Sequence, residues 1–309
     1  MLERAHLELN LNYLAFGGFC GMLRISPECV ACSLSSGIRG LKYATSDPKL
    51  QKVAVKRILE ELRKITWDEI PLDLSYMMHE IIAEVTGVED PYRELKRKSN
   101  QAALAKYQEA KKLAMESADP LETAVKLSIA GNLIDYVPYS KVDLNAPFRK
   151  VSSGFAINDY EKFKERVMNS DTLLYFVDNA GEIVFDKLLI EVMIEVRGRP
   201  FSKIGLVVKE KPLINDATIE DAREANMLDL PNVEVKFVGN GKYSAPSFKS
   251  DEVRSWIEDY DVTVLKGQGN FEIFEDLKGV FFLLVAKCPL ISSFLGVNTG
   301  DFVLKYSEK

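Results

Sequence analysis

Histidine is nearly absent from this 309-residue chain: His6 and His79 are its two copies, both in the amino-terminal half. A histidine pair for zinc or for a nucleophile–base relay is therefore not on offer, and His79, inside a helical pattern, reads as packing. Cysteine is scarce too, with 4 residues. That is too few for a disulfide framework in a chain of this size, so a reducing compartment, the cytoplasm, is expected. No uninterrupted apolar run reaches the ~18 residues of a membrane span. Positive charge is in deficit, with Lys+Arg 40 against Asp+Glu 46 and a net charge of -6, so the chain as a whole is not built to neutralise nucleic acid. Internal repeats and low-complexity tracts are absent as well. The stretch from Leu11 to Leu23 is fairly apolar, but Glu3, Glu8, Asn10 and Asn12 interrupt its approach and no small-residue cleavage site follows. Residues 1–21 are read as an extension upstream of an alternative start at Met22, not as a secretion signal.

What is present is an ordinary globular composition, 47% hydrophobic and 28% charged, in a chain about twice the usual ~150 residues of one domain. Residues 22–150 carry helical patterns. Ser26-Pro27-Glu28 has a hydroxyl cap, a first-turn proline and an acid facing the helix dipole. Helical spacing continues through Lys49–Ile65, Ser75–Val85 and Asn100–Met115, and Asp119-Pro120 opens a further helix to Gly131. Residues 151–309 change rhythm. Apolar strands are predicted at Thr172–Val177, Lys203–Val208, Val233–Phe237, Val262–Leu265 and Val280–Val285. Helices are predicted between them at Ile183–Val196, Ala217–Ala225, Asp251–Asp259 and Phe271–Leu277. Such alternation predicts an α/β fold, a Rossmann-like and mostly parallel sheet with flanking helices, preceded by a helical amino-terminal domain.

In an open parallel sheet ligands bind beyond the carboxyl ends of the strands. The residues found there are Asp178-Asn179-Ala180-Gly181-Glu182, then Lys209 and Asn215-Asp216, then Lys266-Gly267-Gln268-Gly269-Asn270, and Lys287. Asp178, Asn179 and Asp216 offer hard oxygen donors suited to Mg²⁺ or Mn²⁺. Lys266 and Lys287 offer positive charge for phosphate oxygens. Gly267 and Gly269 let backbone amides approach an anion, and Asn270 begins a helix whose amino end favours negative charge. Glu182 is placed to orient a water or act as base. Blander roles stay open: Asp216 or Asn270 as helix caps, Asp178-Asn179 as a turn, either lysine as a surface residue. The convergence on one sheet edge favours the functional reading.

Competing motifs fail at particular positions. Gly239-Asn240-Gly241-Lys242-Tyr243 puts tyrosine where a phosphate loop needs Ser or Thr, and Gly267-Gln268-Gly269-Asn270-Phe271-Glu272 puts glutamate in place of the third dinucleotide glycine. A haloacid-dehalogenase-type phosphatase would have Asp where Ala180 stands. Cys29-Val30-Ala31-Cys32 is a single CxxC without a nearby second pair, which leaves a redox role and buried structural thiols both open.

With Asp178-Asn179-Ala180-Gly181-Glu182, Lys266-Gly267-Gln268-Gly269-Asn270 and Cys29-Val30-Ala31-Cys32 together, the sequence resembles the damage-control metal-dependent phosphatases, long called a domain of unknown function. The likeness runs from about Met22 and is to the archaeal-type branch with an amino-terminal CxxC. Gly131-Asn132-Leu133-Ile134-Asp135 and Asp90-Pro91-Tyr92 also resemble family motifs. The resemblance implies a divalent cation, commonly manganese, nickel or cobalt, on Asp178, Asn179 and Asp216. It further implies phosphate contacts from Lys266 to Asn270 and from Lys287, while Asn132 and Asp135 are read either as lining the substrate side or as capping a helix end. In another branch the last lysine lies in an Arg-Thr-x-Lys motif, where this chain has Leu284-Val285-Ala286-Lys287, and Gln268 stands where some members have aspartate.

The expected activity is metal-dependent hydrolysis of small phosphorylated metabolites such as sugar phosphates, by water or through an aspartyl-phosphate on Asp178. No nucleic-acid or membrane partner is expected. Two rivals are an S-adenosylmethionine-dependent methyltransferase, which wants a glycine-rich loop after the first strand and an acid ending the second, and a non-enzymatic metal- or phosphate-binding redox sensor.

Overall fold

The computed structural model describes residues 22–133, 143, 145–239 and 250–308. Its amino-terminal part consists of α1 (Pro27–Ala44), α2 (Pro48–Leu62), α3 (Pro71–Thr86), α4 (Arg93–Met115) and α5 (Pro120–Gly131). A short α6 (Ala146–Lys150) leads to β1 (Phe155–Asn158), α7 (Tyr160–Asn169), β2 (Thr172–Phe176), α8 (Glu182–Arg197), β3 (Lys203–Lys209), α9 (Ile219–Glu224) and β4 (Val233–Val238). The chain continues through α10 (Asp251–Glu258), β5 (Val262–Lys266), α11 (Gly267–Phe274), β6 (Phe281–Val285), α12 (Pro289–Leu295) and β7 (Phe302–Tyr306).

The predicted helix starts have the expected chemistry. Ser26 precedes Pro27 at the head of α1, where the Cys29 thiol receives the Ser26 amide at 3.5 Å. Asp119 caps α5 by accepting from the Glu122 amide at 3.2 Å, with Pro120 in the first turn. α4 begins at Arg93, ahead of the Asn100 read from composition, because Arg93 to Ser99 are also tolerated in a helix. Among the described residues no helix is long and apolar enough to cross a membrane.

The strands form one seven-stranded sheet in the order β1-β7-β6-β5-β2-β3-β4. β6, β5, β2, β3 and β4 run parallel, as their near-continuous apolar sequences require. β7 is antiparallel to β6 and parallel to β1. Neither of these two strands was anticipated: β1 is four residues long at an edge, and β7 lies beyond the alternating region.

Side chains alternate across the sheet with period two. Leu173, Tyr175 and Val177 join a core with residues of α4, α5, α7 and α8. Leu174 and Phe176 join a second core with Phe271, Ile273 and Phe274 of α11 and Ile291 of α12. α4 and α5 therefore share their core with the sheet, and the packing is continuous across residue 150. A third cluster is built by α1, α2 and α3 around Ile58, Met78 and Ile81. β2 lies between β3 and β5, and the chain leaves β2 in one direction and reaches β5 in the other. The crevice beyond the carboxyl ends of β2 and β5 is the topological switch point of the sheet.

Candidate active site

Backbone pairing brings the oxygen donors of two segments together at that crevice. The segment after β2 and the segment before α9 form an antiparallel bridge at Asn179 and Asp216. The Ala217 amide donates to the Asp178 carbonyl at 2.9 Å and the Ala180 amide to the Asn215 carbonyl at 3.0 Å. Asp178, Asn179 and Asp216 are thus neighbours, and all three are buried. The helix after Asp216 begins at Ile219 with Thr218 as its cap and Asp221 closing the cap from inside. Asp216 is accordingly not the helix cap that its sequence position allowed.

The side chains tighten the cluster. Asn179 Nδ2 donates to Asp178 Oδ2 at 2.5 Å and to Glu182 Oε2 at 3.3 Å. Asn132, the residue that ends α5, donates Nδ2 to Glu182 Oε2 and, at 3.5 Å, to Asp178 Oδ2. Its Oδ1 is buried without a hydrogen-bond partner among the described residues. From α3, the Tyr76 hydroxyl donates to Asp216 Oδ2 at 2.6 Å. Gly267 has φ +76, and a Cβ there would overlap the Asp178 carboxylate, so close approach and backbone conformation both call for glycine. Gly269 lies within α11, where a Cβ would meet Asp178 Oδ1 at an ordinary 3.5 Å.

Several sequence expectations need correction. Lys266 does not present its ammonium at the mouth of the crevice. It is fully buried and donates to Glu182 Oε1 at 2.7 Å, Asp186 Oδ1 at 2.6 Å and the Ser128 carbonyl at 3.1 Å. Asn270 does not begin a helix, because α11 starts at Gly267. Its amide clamps strand ends instead, donating to the Val177 carbonyl at 3.1 Å and the Lys266 carbonyl at 2.7 Å while its Oδ1 accepts from Lys209 Nζ at 2.8 Å. Gln268 ties its loop to the next: Nε2 donates to Glu272 Oε1 at 2.9 Å, and Oε1 accepts from the Lys287 amide at 2.8 Å. Lys287 is exposed, and its charge pulls the Asp178 pKa downward. Glu182 is buried with both oxygens engaged, which suits holding amides in place better than proton transfer. Asp135 lies outside the described residues.

Burial dominates the electrostatics of this cluster. Burial, then the Glu182 charge, push the Asp178 carboxyl up to about 8, and Asp216 adds to the rise. Lys209, buried on the other side, has its pKa lowered because burial outweighs attraction to Asp216 and Asp178. The Tyr76 phenol is held well above its usual range by burial and by Asp216. Among the described residues no set of three His, Cys, Asp or Glu side chains is grouped to hold a metal. Two carboxylates with the Asn179 amide, beside the unpartnered Asn132 oxygen, are the donors that a hard divalent cation would find.

Tyr76, Asn100, Asp186 and Lys209 take part in this region without having been named as site residues. Lys209 had a signal, a lysine closing an apolar strand. Asp186 also had one, an acid one turn after Glu182 in an otherwise apolar run. Tyr76 and Asn100 come from helices whose pattern gives no hint of which sheet loops they meet. His79 is packing, as expected: its Nδ1 lies 2.8 Å from the Ser75 carbonyl and its Nε2 3.1 Å from the Tyr92 hydroxyl. In the CxxC segment Cys29 is buried and Cys32 exposed, and both are free thiols.

Comparison with known proteins gives a consistent result. The profile of the damage-control phosphatase ARMT1-like domain matches residues 25–303. A damage-control phosphatase of Archaeoglobus fulgidus is 37% identical over 93% of this chain and 100% of its own length. A damage-control phosphatase of Pyrococcus horikoshii is 32% identical over 91% of this chain and 97% of its own. The crystal structure of a DUF89 family protein from Pyrococcus horikoshii superposes with a TM-score of 0.79 at 28% identity, covering 93% of this chain and 100% of that one.

Proposed function

This chain belongs to the damage-control phosphatase ARMT1-like family, and from that premise we propose that it hydrolyses phosphomonoesters of small metabolites, such as sugar phosphates, with a divalent cation held by Asp178, Asn179 and Asp216. The observation that carries the reading is the antiparallel bridge joining Asn179 to Asp216 at the switch point, beside the Asp178 carboxyl that burial and neighbouring acids push up. Mn²⁺, Ni²⁺ and Co²⁺ are the ions proposed, with Mg²⁺ also compatible with these donors.

Once bound, such an ion supplies Lewis-acid stabilisation of phosphoryl oxygens and a water of lowered pKa. The chain's own residues do the rest. Tyr76 fixes one oxygen of Asp216, and Glu182 holds the Asn132 and Asn179 amides against Asp178. The first turn of α11 starts at Gly267, directly against Asp178, so its amides stand beside the donors and favour an anion there. Lys287, on the exposed side, offsets negative charge on the phosphoryl group and on the departing oxygen. The methyl-transfer rival wanted an acid ending the strand after the first site loop, and Lys209 occupies that place.

The test is release of phosphate from p-nitrophenyl phosphate and a panel of sugar phosphates, after chelation and after adding back each ion. Activity restored by an ion and lost by at least ~100-fold in Asp178→Ala supports the reading. Full activity in the chelated enzyme, or in Asp178→Ala, contradicts it.

A further inference from the structure

We infer that Asn100 of α4 is a positioning residue that couples the two segments carrying the cation donors, and so sets the affinity for the ion without touching it. The inference rests on the cation reading above. Asparagine is an unfavourable choice in the middle of a 23-residue helix otherwise rich in Ala, Lys and Glu, and here it is completely buried. Its amide is used at both ends. Oδ1 accepts from the Gly181 amide at 2.6 Å, and Nδ2 donates to Asp221 Oδ1 at 3.0 Å and Glu224 Oε2 at 2.8 Å.

Each partner stands just past a donor. Gly181 closes the Asp178-Asn179-Ala180 segment with φ +82, and as the residue before α8 its N–H has no place in that helix's ladder. Asp221 holds the turn after Asp216, because its other oxygen accepts from the Thr218 amide at 2.9 Å and the Thr218 hydroxyl at 3.0 Å. One turn earlier on α4, Lys96 Nζ lies 3.5 Å from Asp221 and 3.0 Å from Asp90, which pins the acid from the opposite side. One planar amide therefore spans the two segments whose backbones meet at the Asn179–Asp216 bridge. An apolar residue of similar size would fill the space and leave the Gly181 N–H and a buried carboxylate without this partner. The donors would then lose their fixed separation, the property on which a small, oxygen-seeking ion depends.

The experiment counts free Mn²⁺ by electron paramagnetic resonance while the full chain is titrated, for wild type, Asp216→Asn, Asn100→Leu and the pair Asn100→Asp with Asp221→Asn, the pair being made together with Glu224→Gln. The pair reverses the donor and acceptor between positions 100 and 221 while keeping an acceptor for Gly181, and Glu224→Gln does the same for the Asn100–Glu224 hydrogen bond, so that no two carboxylates meet. Expected are one site in wild type, lost in Asp216→Asn, weakened ~10–100-fold in Asn100→Leu, and largely regained in the reversed pair. Circular dichroism checks folding, and Asn100→Ser, read the same way, replaces any variant that does not fold. Wild-type affinity in a folded Asn100→Leu or Asn100→Ser overturns the inference and leaves the cation reading standing. Absence of an Asp216-dependent site in wild type overturns both. Equal weakening in the single variant and the reversed pair also overturns it, since that is what loss of general packing would give.

Discussion

Lys209 and Lys266 are each the last residue of a central strand, and both are buried against carboxylates, yet they end in opposite states. Strand parity separates them. Lys266 follows Val262 and Val264 onto the face packed by α5 and α8, whereas Lys209 shares the face of Val207, toward α11. On the first face Lys266 sits between Glu182 and Asp186 and its pKa is raised, because two close acids overcome burial. Asp186, opposed by burial but held by Lys266, is pushed up only to about 6. On the second face burial wins: Lys209 is lowered, and Asp178 is pushed up to about 8. One cluster is thus a structural ion network around Lys266, while in the other burial works against both the lysine and the carboxylate, which is where the proposed cation would act.

The Lys266 cluster is the more sensitive of the two to loss of its cation. Lys266→Met strands Glu182 and Asp186 without their cation and should cost about 3–5 kcal/mol in denaturant unfolding. A loss under about 1 kcal/mol would show that the network is not self-neutralising. A third buried ionisable group, His79, sharpens the contrast because burial without an acidic partner lowers its pKa to about 4. The unfolded imidazole, near its ordinary 6.5, takes a proton on acidification before the folded one can. The His79 contribution is therefore intact above pH 6.5 and is lost as pH falls toward 4. Relative to His79→Gln, wild type should lose up to about 3 kcal/mol between pH 7 and pH 4. A difference independent of pH would mean that the folded imidazole takes up its proton as readily as the unfolded one.

A smaller effect probes the Asp178 cluster. Gly267→Ala forces a Cβ toward the Asp178 carboxylate at a positive φ, and should cost about 2 kcal/mol while weakening ion binding. An alanine variant as stable as wild type would mean that Asp178 is not held against this turn.

Much of this arrangement was legible in the sequence because the central strands are near-continuous apolar runs. Once they alternate with helices, a general rule about strand ends points to Asp178, Asn179 and Asp216, and the Asn179–Asp216 bridge brings those segments together. The edge was less legible. Phe155–Asn158 is four residues long with every second one exposed, and Phe302–Tyr306 runs against the parallel rhythm. The direction of Lys266 was readable in principle from its parity with Val262 and Val264, but a lysine beside glycines suggested a phosphate instead. The roles of Tyr76 and Asn100 depend on how two helices dock on sheet loops distant in sequence. Local periodicity carries no information about that docking.

The central question is whether the Asp178 cluster takes up an external ion. Calorimetric titration of chelator-treated protein with Mn²⁺, for wild type and Asp178→Asn, addresses this most directly. A cation held by this cluster gives saturable one-to-one binding in wild type and none in a folded Asp178→Asn. Identical heats in the two proteins, or no binding in wild type, would rule such a cation out.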